Sequence, residues 1–228
     1  MLEQIARWDL RICLRANRVC RRVSWRLLFR CVSVLGDGFF WYALMAALLL
    51  VERDAAVQPV LHMLAVGLVC NAGYKWLKTR TLRPRPYQVH DAIERFAVPL
   101  DRFSFPSGHT LHAVAFTLVA LAYYPVLAGL LWPFTLLVAL SRVVLGLHYP
   151  SDVLAGALQG ARPQTADGCS YFFSASRISR SSTMSSGVAA GAAGAASSLR
   201  LRRLIARISR NTAKATMMKL MQVLMNMP

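Results

Sequence analysis

Three short segments in the middle of the chain combine side chains that suit the handling of a phosphate group. Residues 78–86 carry two of the cations, residues 106–109 carry a Gly turn next to a histidine, and residues 141–152 carry a third cation, a second histidine and a carboxylate. A phosphoryl group carries dense negative charge, so its transfer depends on positioned cations and hydrogen-bond donors. The segments therefore predict phosphoryl transfer through a histidine, without a metal.

Five residues are predicted to bind the phosphate oxygens. They are Lys78, Arg85, Ser107, Gly108 and Arg142. The arginines offer planar forks for bidentate contacts, whereas the lysine offers a point charge. The Ser-Gly pair precedes an apolar segment, and the free amides and dipole of a helix start favour an anion. Glycine also lets the phosphate approach the backbone.

The catalytic roles are predicted for two histidines and one aspartate. His148 is the predicted nucleophile, because a neutral imidazole can attack phosphorus and form a phosphohistidine. Asp152 is predicted to accept a hydrogen bond from the ring of His148, which would fix its tautomer and stabilise the developing positive charge. His109 is predicted to protonate the leaving group and then to act as the base on water.

Other polar residues have simpler interpretations. A histidine beside a helix start is more often a cap or a surface residue, and an arginine near a helix end often extends to lipid headgroups. Asp37 is interpreted as a cap at the membrane interface. Four arginines are interpreted as ordinary interface charges outside the site: Arg80, Arg83, Arg95 and Arg102. His109 and His112 lack an acid or a cysteine nearby that would complete a metal site.

Four long apolar runs surround these segments, at residues 31–51, 57–76, 109–124 and 127–147. A helix needs about 20 residues to cross the hydrocarbon core of a membrane. The runs predict an all-α, multi-spanning transmembrane helix bundle. Buried helices of a soluble protein are the alternative, but 228 residues are too few to shield so many apolar helices from water.

Alternating spans would bring the three segments together. The first segment follows the second predicted span, the second segment opens the third span, and the last segment closes the fourth. Successive antiparallel helices place these points on one face of the membrane. The spacing along the chain could not achieve this without the alternation of helices.

Positive charge is concentrated at the two ends of the chain, whose formal net charge is +17. Residues 1–32 contain eight arginines and residues 168–228 contain nine lysines or arginines. Such flanks indicate contact with anionic lipids. Nucleic acid is the alternative partner, but no zinc finger or RNA-binding motif accompanies the charge, so none is expected. The five cysteines form no C-x-x-C pair, so no disulfide framework or zinc site is indicated.

The sequence divides into three parts. Residues 1–32 are predicted to form a basic amphipathic segment and residues 33–161 the transmembrane domain. Arg162 and Pro163 interrupt the last apolar run after about ten residues, too few to span, so the last helix is predicted to be truncated. Residues 162–228 are predicted to be a flexible low-complexity tail, with a possible amphipathic helix near residues 199–227.

The three segments resemble the signature of the type 2 phosphatidic acid phosphatase (PAP2) superfamily, which also includes vanadium-dependent haloperoxidases. The family pattern is K-x6-R-P, then P-S-G-H, then S-R-x5-H-x3-D, and residues 78–86, 106–109 and 141–152 fit it without a gap. The resemblance implies the roles given above for the phosphate-binding and catalytic residues. It also implies a lipid phosphatase that needs no metal or cofactor.

The resemblance leaves the lipid open, because relatives act on phosphatidate, phosphatidylglycerophosphate or polyprenyl pyrophosphate. It implies a multi-pass protein of the cell membrane, in a bacterium its inner membrane. The positive-inside rule points to a cytoplasmic site, whereas many bacterial relatives face outward. Two alternatives stay open: a haloperoxidase, and an inactive membrane protein that binds lipid phosphates or partners. The second is motivated by the truncated last helix, which in the family supports the His-Asp pair.

Overall fold

The computed structural model describes residues 2–99 and 101–165. The predicted tail, including the possible helix near residues 199–227, lies outside the described residues, apart from the start of the tail at residues 162–165. Eight α-helices follow one another in the described part: α1 (Leu2–Asn17), α2 (Val23–Val34), α3 (Phe40–Glu52), α4 (Val57–Thr81), α5 (Pro86–Val89), α6 (Gly108–Tyr123), α7 (Ala128–Val144) and α8 (Pro150–Thr165). This part of the chain contains no strand, so the all-α prediction is confirmed.

Each predicted apolar run forms helix. The first run is divided between α2 and α3, and the other three correspond to α4, α6 and α7. Their buried faces share one core, in which Trp41 of α3, Met63 of α4, Leu111 of α6 and Val138 of α7 are almost fully enclosed. Close packing of these four helices fixes the ends that carry the three polar segments.

Large apolar side chains also cover the outside of the bundle. Leu68 of α4, Leu136 of α7 and the pair Leu154 and Leu158 of α8 are each more than half exposed. Two helical stretches, Val23–Val89 and Pro125–Val144, contain segments long and apolar enough to cross a membrane, and Gly108–Tyr123 is apolar but shorter. An apolar exterior of this kind suits contact with lipid.

The first apolar run is bent at Leu35–Phe39, between α2 and α3. Gly38 has a φ of +125° there, a conformation that side-chain-bearing residues rarely adopt. Gly36 lies so close to α7 that an added Cβ would come within 2.9 Å of Val138. Between these glycines the chain places Asp37, whose position becomes important at the site.

The last helix extends through the predicted interruption. α8 continues past Arg162 and Pro163 to Thr165, which makes 16 residues. It packs closely on the start of α6, because Cβ atoms added at Gly156 and Gly160 would lie 2.5 Å and 2.3 Å from backbone carbonyl oxygens of that helix and its N-cap. Two small residues four positions apart allow this backbone contact. The described part of α8 therefore supports the segment that contains Asp152.

This contact predicts a specific sensitivity to volume. Gly156→Ala should lower the stability by about 1–3 kcal/mol, because the methyl group must displace the Ser107 carbonyl. Thermal unfolding in detergent measures the change. Gly129→Ala in α7 is the matched control, since nothing lies within 4 Å of its added Cβ. Equal stability of the two variants would contradict the close packing of α8 on α6.

Candidate active site

His148 lies in a tight turn between α7 and α8. The backbone N–H groups of Leu147 and His148 both donate to the carbonyl oxygen of Arg142, at 3.1 and 3.0 Å. Gly146 allows the reversal with a φ of +74°. The turn leaves the His148 side chain almost entirely buried, directly beside the last residues of α7.

The ring of His148 is oriented by Arg85. The Nη1 atom of Arg85 lies 3.3 Å from Nε2 of His148 and also donates to the carbonyl oxygen of Leu147 at 2.8 Å. A guanidinium can only donate, so this contact requires a lone pair on Nε2. The imidazole is then neutral with its proton on Nδ1, and the lone pair of Nε2 is directed toward the Arg85 guanidinium.

The charge state of His148 follows from its surroundings. Burial lowers the pKa of His148 well below its usual value, and the charges of Arg142, Arg85, His109 and Lys78 lower it further. The side chains that act on this ring come from all three sequence segments. The three segments therefore lie close together around His148, as the alternation of helices predicts.

Asp152 forms its hydrogen bonds with groups other than the ring of His148. Its Oδ2 atom lies 3.8 Å from Nδ1 of His148, beyond hydrogen-bond distance, and accepts instead from the backbone N–H of Tyr149 at 2.9 Å. Nδ1 of His148 has no hydrogen-bond partner among the described residues. The two side chains of the predicted pair are therefore close but not hydrogen-bonded in this structure. A small shift of the ring would form the hydrogen bond.

The interpretation of Arg83 as an ordinary interface charge is wrong. Its guanidinium donates to Asp152 at 2.6 Å and to Asp9 of α1 at 2.9 Å, and Ser151 joins the same network by donating to Asp9. Arg83 thus neutralises two buried carboxylates and holds Asp152 against the turn. No sequence motif marks this role, because only the path of the loop distinguishes Arg83 from the neighbouring arginines.

Lys78 is paired with Asp101, a carboxylate that lies outside the three segments. Its Nζ atom contacts Asp101 at 2.7 Å, and Tyr74 also donates to that carboxylate. Burial acts to raise the pKa of Asp101, but the hydrogen bonds from Lys78 and Tyr74 outweigh it, so the pKa lies below its usual value. A phosphate that binds Lys78 has to share it with Asp101 or replace Asp101.

The start of α6 is held tightly in place. Ser107 is fully buried, its Oγ atom lies 3.0 Å from Thr110 Oγ1, and its backbone N–H donates to the carbonyl oxygen of Asp152 at 3.1 Å. Gly108 faces Tyr74, whose ring would lie 2.9 Å from an added Cβ. Glycine is required here by the neighbouring ring as well as by any approaching ligand.

Arg142 and His109 both contact the first bent helix. Nη1 of Arg142 donates to Ser33 of α2, and the side chain of Arg142 is buried. Nε2 of His109 lies 2.7 Å from Oδ1 of Asp37. The interpretation of Asp37 as an interface cap is therefore wrong. An acidic residue within a long apolar run was the sequence signal, since such residues are costly in a membrane unless paired.

Helix α1 forms one wall of the site. Asn17 donates to the carbonyl oxygens of Glu94 and Val144, and Cys13 Sγ lies 3.7 Å from the carbonyl oxygen of His148. Together with Asp9, these residues line the buried side of α1. The segment predicted to lie at the membrane interface therefore also supports the turn that carries the candidate nucleophile.

The second histidine of α6 is committed to its own helix. Nδ1 of His112 lies 2.8 Å from the carbonyl oxygen of Gly108. Within residues 2–99 and 101–165, no group of three His, Cys, Asp or Glu side chains is arranged to hold a metal ion. The cations described above form a donor set that suits an anion, and the carboxylates near them are single and paired.

The model of the PAP2 superfamily matches residues 55–166, which include all eight predicted site residues. Residues 55–166 of this chain thus form a region of the PAP2 superfamily. Asp9, Ser33 and Asp37 precede the matched range, so the contacts of α1 and α2 with the PAP2 site come from outside it. The matched range includes α4 to α7 and the described part of α8, the helices that carry the three segments.

Known PAP2 phosphatases include similar proteins. Phosphatidylglycerophosphatase B of Escherichia coli (strain K12) is 38% identical over 155 residues, which cover 46% of this chain and 58% of that protein. Decaprenylphosphoryl-5-phosphoribose phosphatase of Mycolicibacterium smegmatis is 37% identical over 123 residues, covering 51% and 62%. The chain thus spans less than two thirds of the length of either relative.

A solved structure extends the likeness to the fold. The transmembrane PAP2-type phosphatidylglycerolphosphate phosphatase from Bacillus subtilis superimposes with a TM-score of 0.55 at 25% identity, over 69% of this chain and 81% of that one. With its apolar helices, this chain is a membrane protein of the same architecture.

The contacts of Arg83 predict a defect that its neighbours do not share. Arg83→Gln removes the cation between Asp9 and Asp152, so stability should fall by about 1–3 kcal/mol and phosphate release at least about tenfold, which corresponds to 1.4 kcal/mol. Arg80→Gln is the control, since Arg80 lies over the ring of Trp76 at the surface. Thermal unfolding and phosphate release measure both variants. Similar behaviour of the two would show that Arg83 does not support the site.

Proposed function

We propose that this chain is a membrane-embedded phosphatase that hydrolyses a lipid phosphate or a polyprenyl pyrophosphate through a phosphohistidine on His148, without a metal ion. We place it as a multi-pass protein of a bacterial inner membrane. One observation carries the proposal: the neutral Nε2 of His148 faces Arg85 at 3.3 Å, among side chains of all three segments. A lone pair directed into a cationic pocket suits attack on a phosphorus atom.

The first step forms the phosphoenzyme. The phosphate oxygens bind Lys78, Arg85, Arg142 and the amides at the start of α6, and Lys78 exchanges its contact with Asp101 for one with the substrate. Nε2 of His148 then attacks phosphorus while the bond to the leaving oxygen breaks. His109 transfers a proton to that oxygen, so the lipid alcohol or lipid phosphate leaves in its protonated form.

The second step releases phosphate. Water attacks phosphorus as the P–N bond to His148 breaks, and His109 accepts the proton that the water loses. Both histidines return to their starting states, so each turnover consumes one water and yields one alcohol and one phosphate. For a pyrophosphate substrate, the leaving group is a lipid monophosphate.

The class of substrate is supported by the apolar helices that surround the site and by the relatives. Their names specify a phosphatidylglycerophosphate and a decaprenylphosphoryl phosphoribose. Both are phosphate esters attached to lipid, and a pocket that grips only the phosphoryl group accepts either. We therefore assign a lipid-linked phosphate and compare three members of that class in the test below.

Phosphate release by protein purified from the inner-membrane fraction tests the proposal. With EDTA present, we expect turnover of phosphatidate, phosphatidylglycerophosphate or undecaprenyl pyrophosphate, and a loss of at least about 10³-fold in His148→Ala, the scale seen when a nucleophile is removed. When a reaction with ³²P-labelled substrate is quenched, an acid-labile phosphoenzyme should be trapped in the native chain and not in His148→Ala. Absence of turnover in a folded protein would favour the inactive, lipid-binding alternative, and loss of activity in EDTA would exclude a metal-independent reaction.

The buried imidazole also predicts an unusual acid limit. Because the pKa of His148 lies well below its usual value, falling pH protonates Nε2 only well below the ordinary histidine pKa of about 6.5. The decrease of kcat/KM at low pH that results from protonation of the enzyme should therefore occur at a pH well below that value. A pH profile measures it, with the ionisation of the substrate followed separately by ³¹P NMR. An enzyme-derived loss centred on the ordinary histidine value would contradict a neutral, buried nucleophile.

A further inference from the structure

We propose that Asp37 is the positioning residue for His109, and that it orients this ring and stabilises a proton on it for its role as general acid. This inference rests on the proposed function. It concerns a residue of the first bent helix, which lies outside the matched PAP2 range of residues 55–166.

The contact between the two side chains is direct. Oδ1 of Asp37 lies 2.7 Å from Nε2 of His109, and the side chains are 17% and 9% exposed. At this distance and burial, a carboxylate forms a strong charge-assisted hydrogen bond with an imidazole N–H. It also stabilises the imidazolium form, which the ring needs in order to donate a proton.

The backbone is shaped to present this carboxylate. Asp37 lies at the centre of the bend Leu35–Phe39, between two glycines that the packing requires. Gly38 adopts a φ of +125°, and a side chain at Gly36 would collide with Val138. Local distortions of helices are often found at functional sites. In this chain, the distortion turns one acidic side chain of an apolar segment toward His109.

The charge balance of the site gives a reason for the pairing. The cations of the phosphate pocket, Arg142 among them, disfavour a proton on a neighbouring imidazole. His148 uses that effect, because a nucleophile must be neutral. His109 has the opposite requirement, and Asp37 is the carboxylate that contacts it. Asp37 thereby gives the proton of His109 a hydrogen-bond partner at 2.7 Å, whereas the nearest carboxylate to His148 among the described residues, Asp152, lies 3.8 Å from its ring.

The proton transfer follows from the contact. While Nε2–H of His109 is bonded to Asp37, the proton that moves to the leaving oxygen is the one on Nδ1. Its N–H bond breaks as the bond from phosphorus to the leaving oxygen breaks, and water returns a proton to Nδ1 in the second step. Asp37 itself gains and loses no proton, as with the aspartate of a catalytic triad.

Leaving-group dependence tests this role. A general acid matters for a poor alkyl leaving group and hardly at all for p-nitrophenol, which departs unprotonated. In Asp37→Asn, kcat/KM for phosphatidate should fall by about 10²-fold, at the lower end of the range for general acid catalysis. For p-nitrophenyl phosphate, kcat/KM should change by less than about threefold, because this leaving group needs no proton from His109. Retained turnover of the aryl phosphate also shows that the variant is folded.

Two further variants separate positioning from a merely structural role. In a His109→Gln background, Asp37→Asn should have little additional effect on phosphatidate, because a residue that acts only through His109 has nothing left to position. Asp37→Glu should recover part of the lost activity, since it keeps the carboxylate. Glu52→Gln, at the exposed far end of α3, is the matched acid-to-amide control and should leave both substrates unaffected.

The outcomes distinguish this inference from the proposed function. If the unmodified protein hydrolyses neither substrate, the proposed function fails. If it hydrolyses both, but Asp37→Asn slows both equally or slows the His109→Gln protein by the same factor, Asp37 has only a structural role. A faster reaction of Asp37→Asn would show that the carboxylate competes with the substrate for His109, and would equally overturn the inference.

Discussion

The burial of several cations around one neutral imidazole is the constraint on which this structure depends. Arg85, Arg142 and Lys78 lie in the protein with little exposure to water, and each costs free energy of desolvation that nearby carboxylates and carbonyl oxygens only partly offset. The phosphoryl group of the proposed substrate would supply compensating negative charge. The arrangement is therefore costly in the free protein and favourable once an anion is bound, which is the condition for binding energy to serve a reaction.

The supporting residues divide this site into two parts with opposite tasks. Arg83, Asp9 and Asn17 hold the turn that carries His148, where positive surroundings keep the ring neutral. Asp37, on a bend of the first apolar helix, contacts His109. The two histidines are of the same chemical type, so any difference in how readily they hold a proton comes from their neighbours. Asp9 and Asn17 on one side and Asp37 on the other precede the PAP2 range, whereas Arg83 lies within it.

The membrane explains why so much of the packing relies on small residues. Helices in lipid gain little from burying apolar surface against one another, so close backbone contact carries more of the association. Gly156 and Gly160 let α8 approach the start of α6, and Gly36 lets the bent helix approach α7. Each approach sets the position of a polar residue nearby: Asp152, Ser107 or Asp37. Stability and site geometry are thus coupled at the same glycines.

The sequence by itself determined the all-α class, the four apolar helices and the motif residues that lie close together, because the lengths of apolar runs and the spacing of motif side chains are both local properties. It did not determine which of several similar arginines would reach Asp152, that Asp101 would contact Lys78, or that Asp37 would contact His109. Those choices depend on the path of a loop, on the bend at Leu35–Phe39 and on the packing of α1. Only the tertiary structure decides them, since residues far apart in the chain acquire partners through the directions in which their helices and loops end.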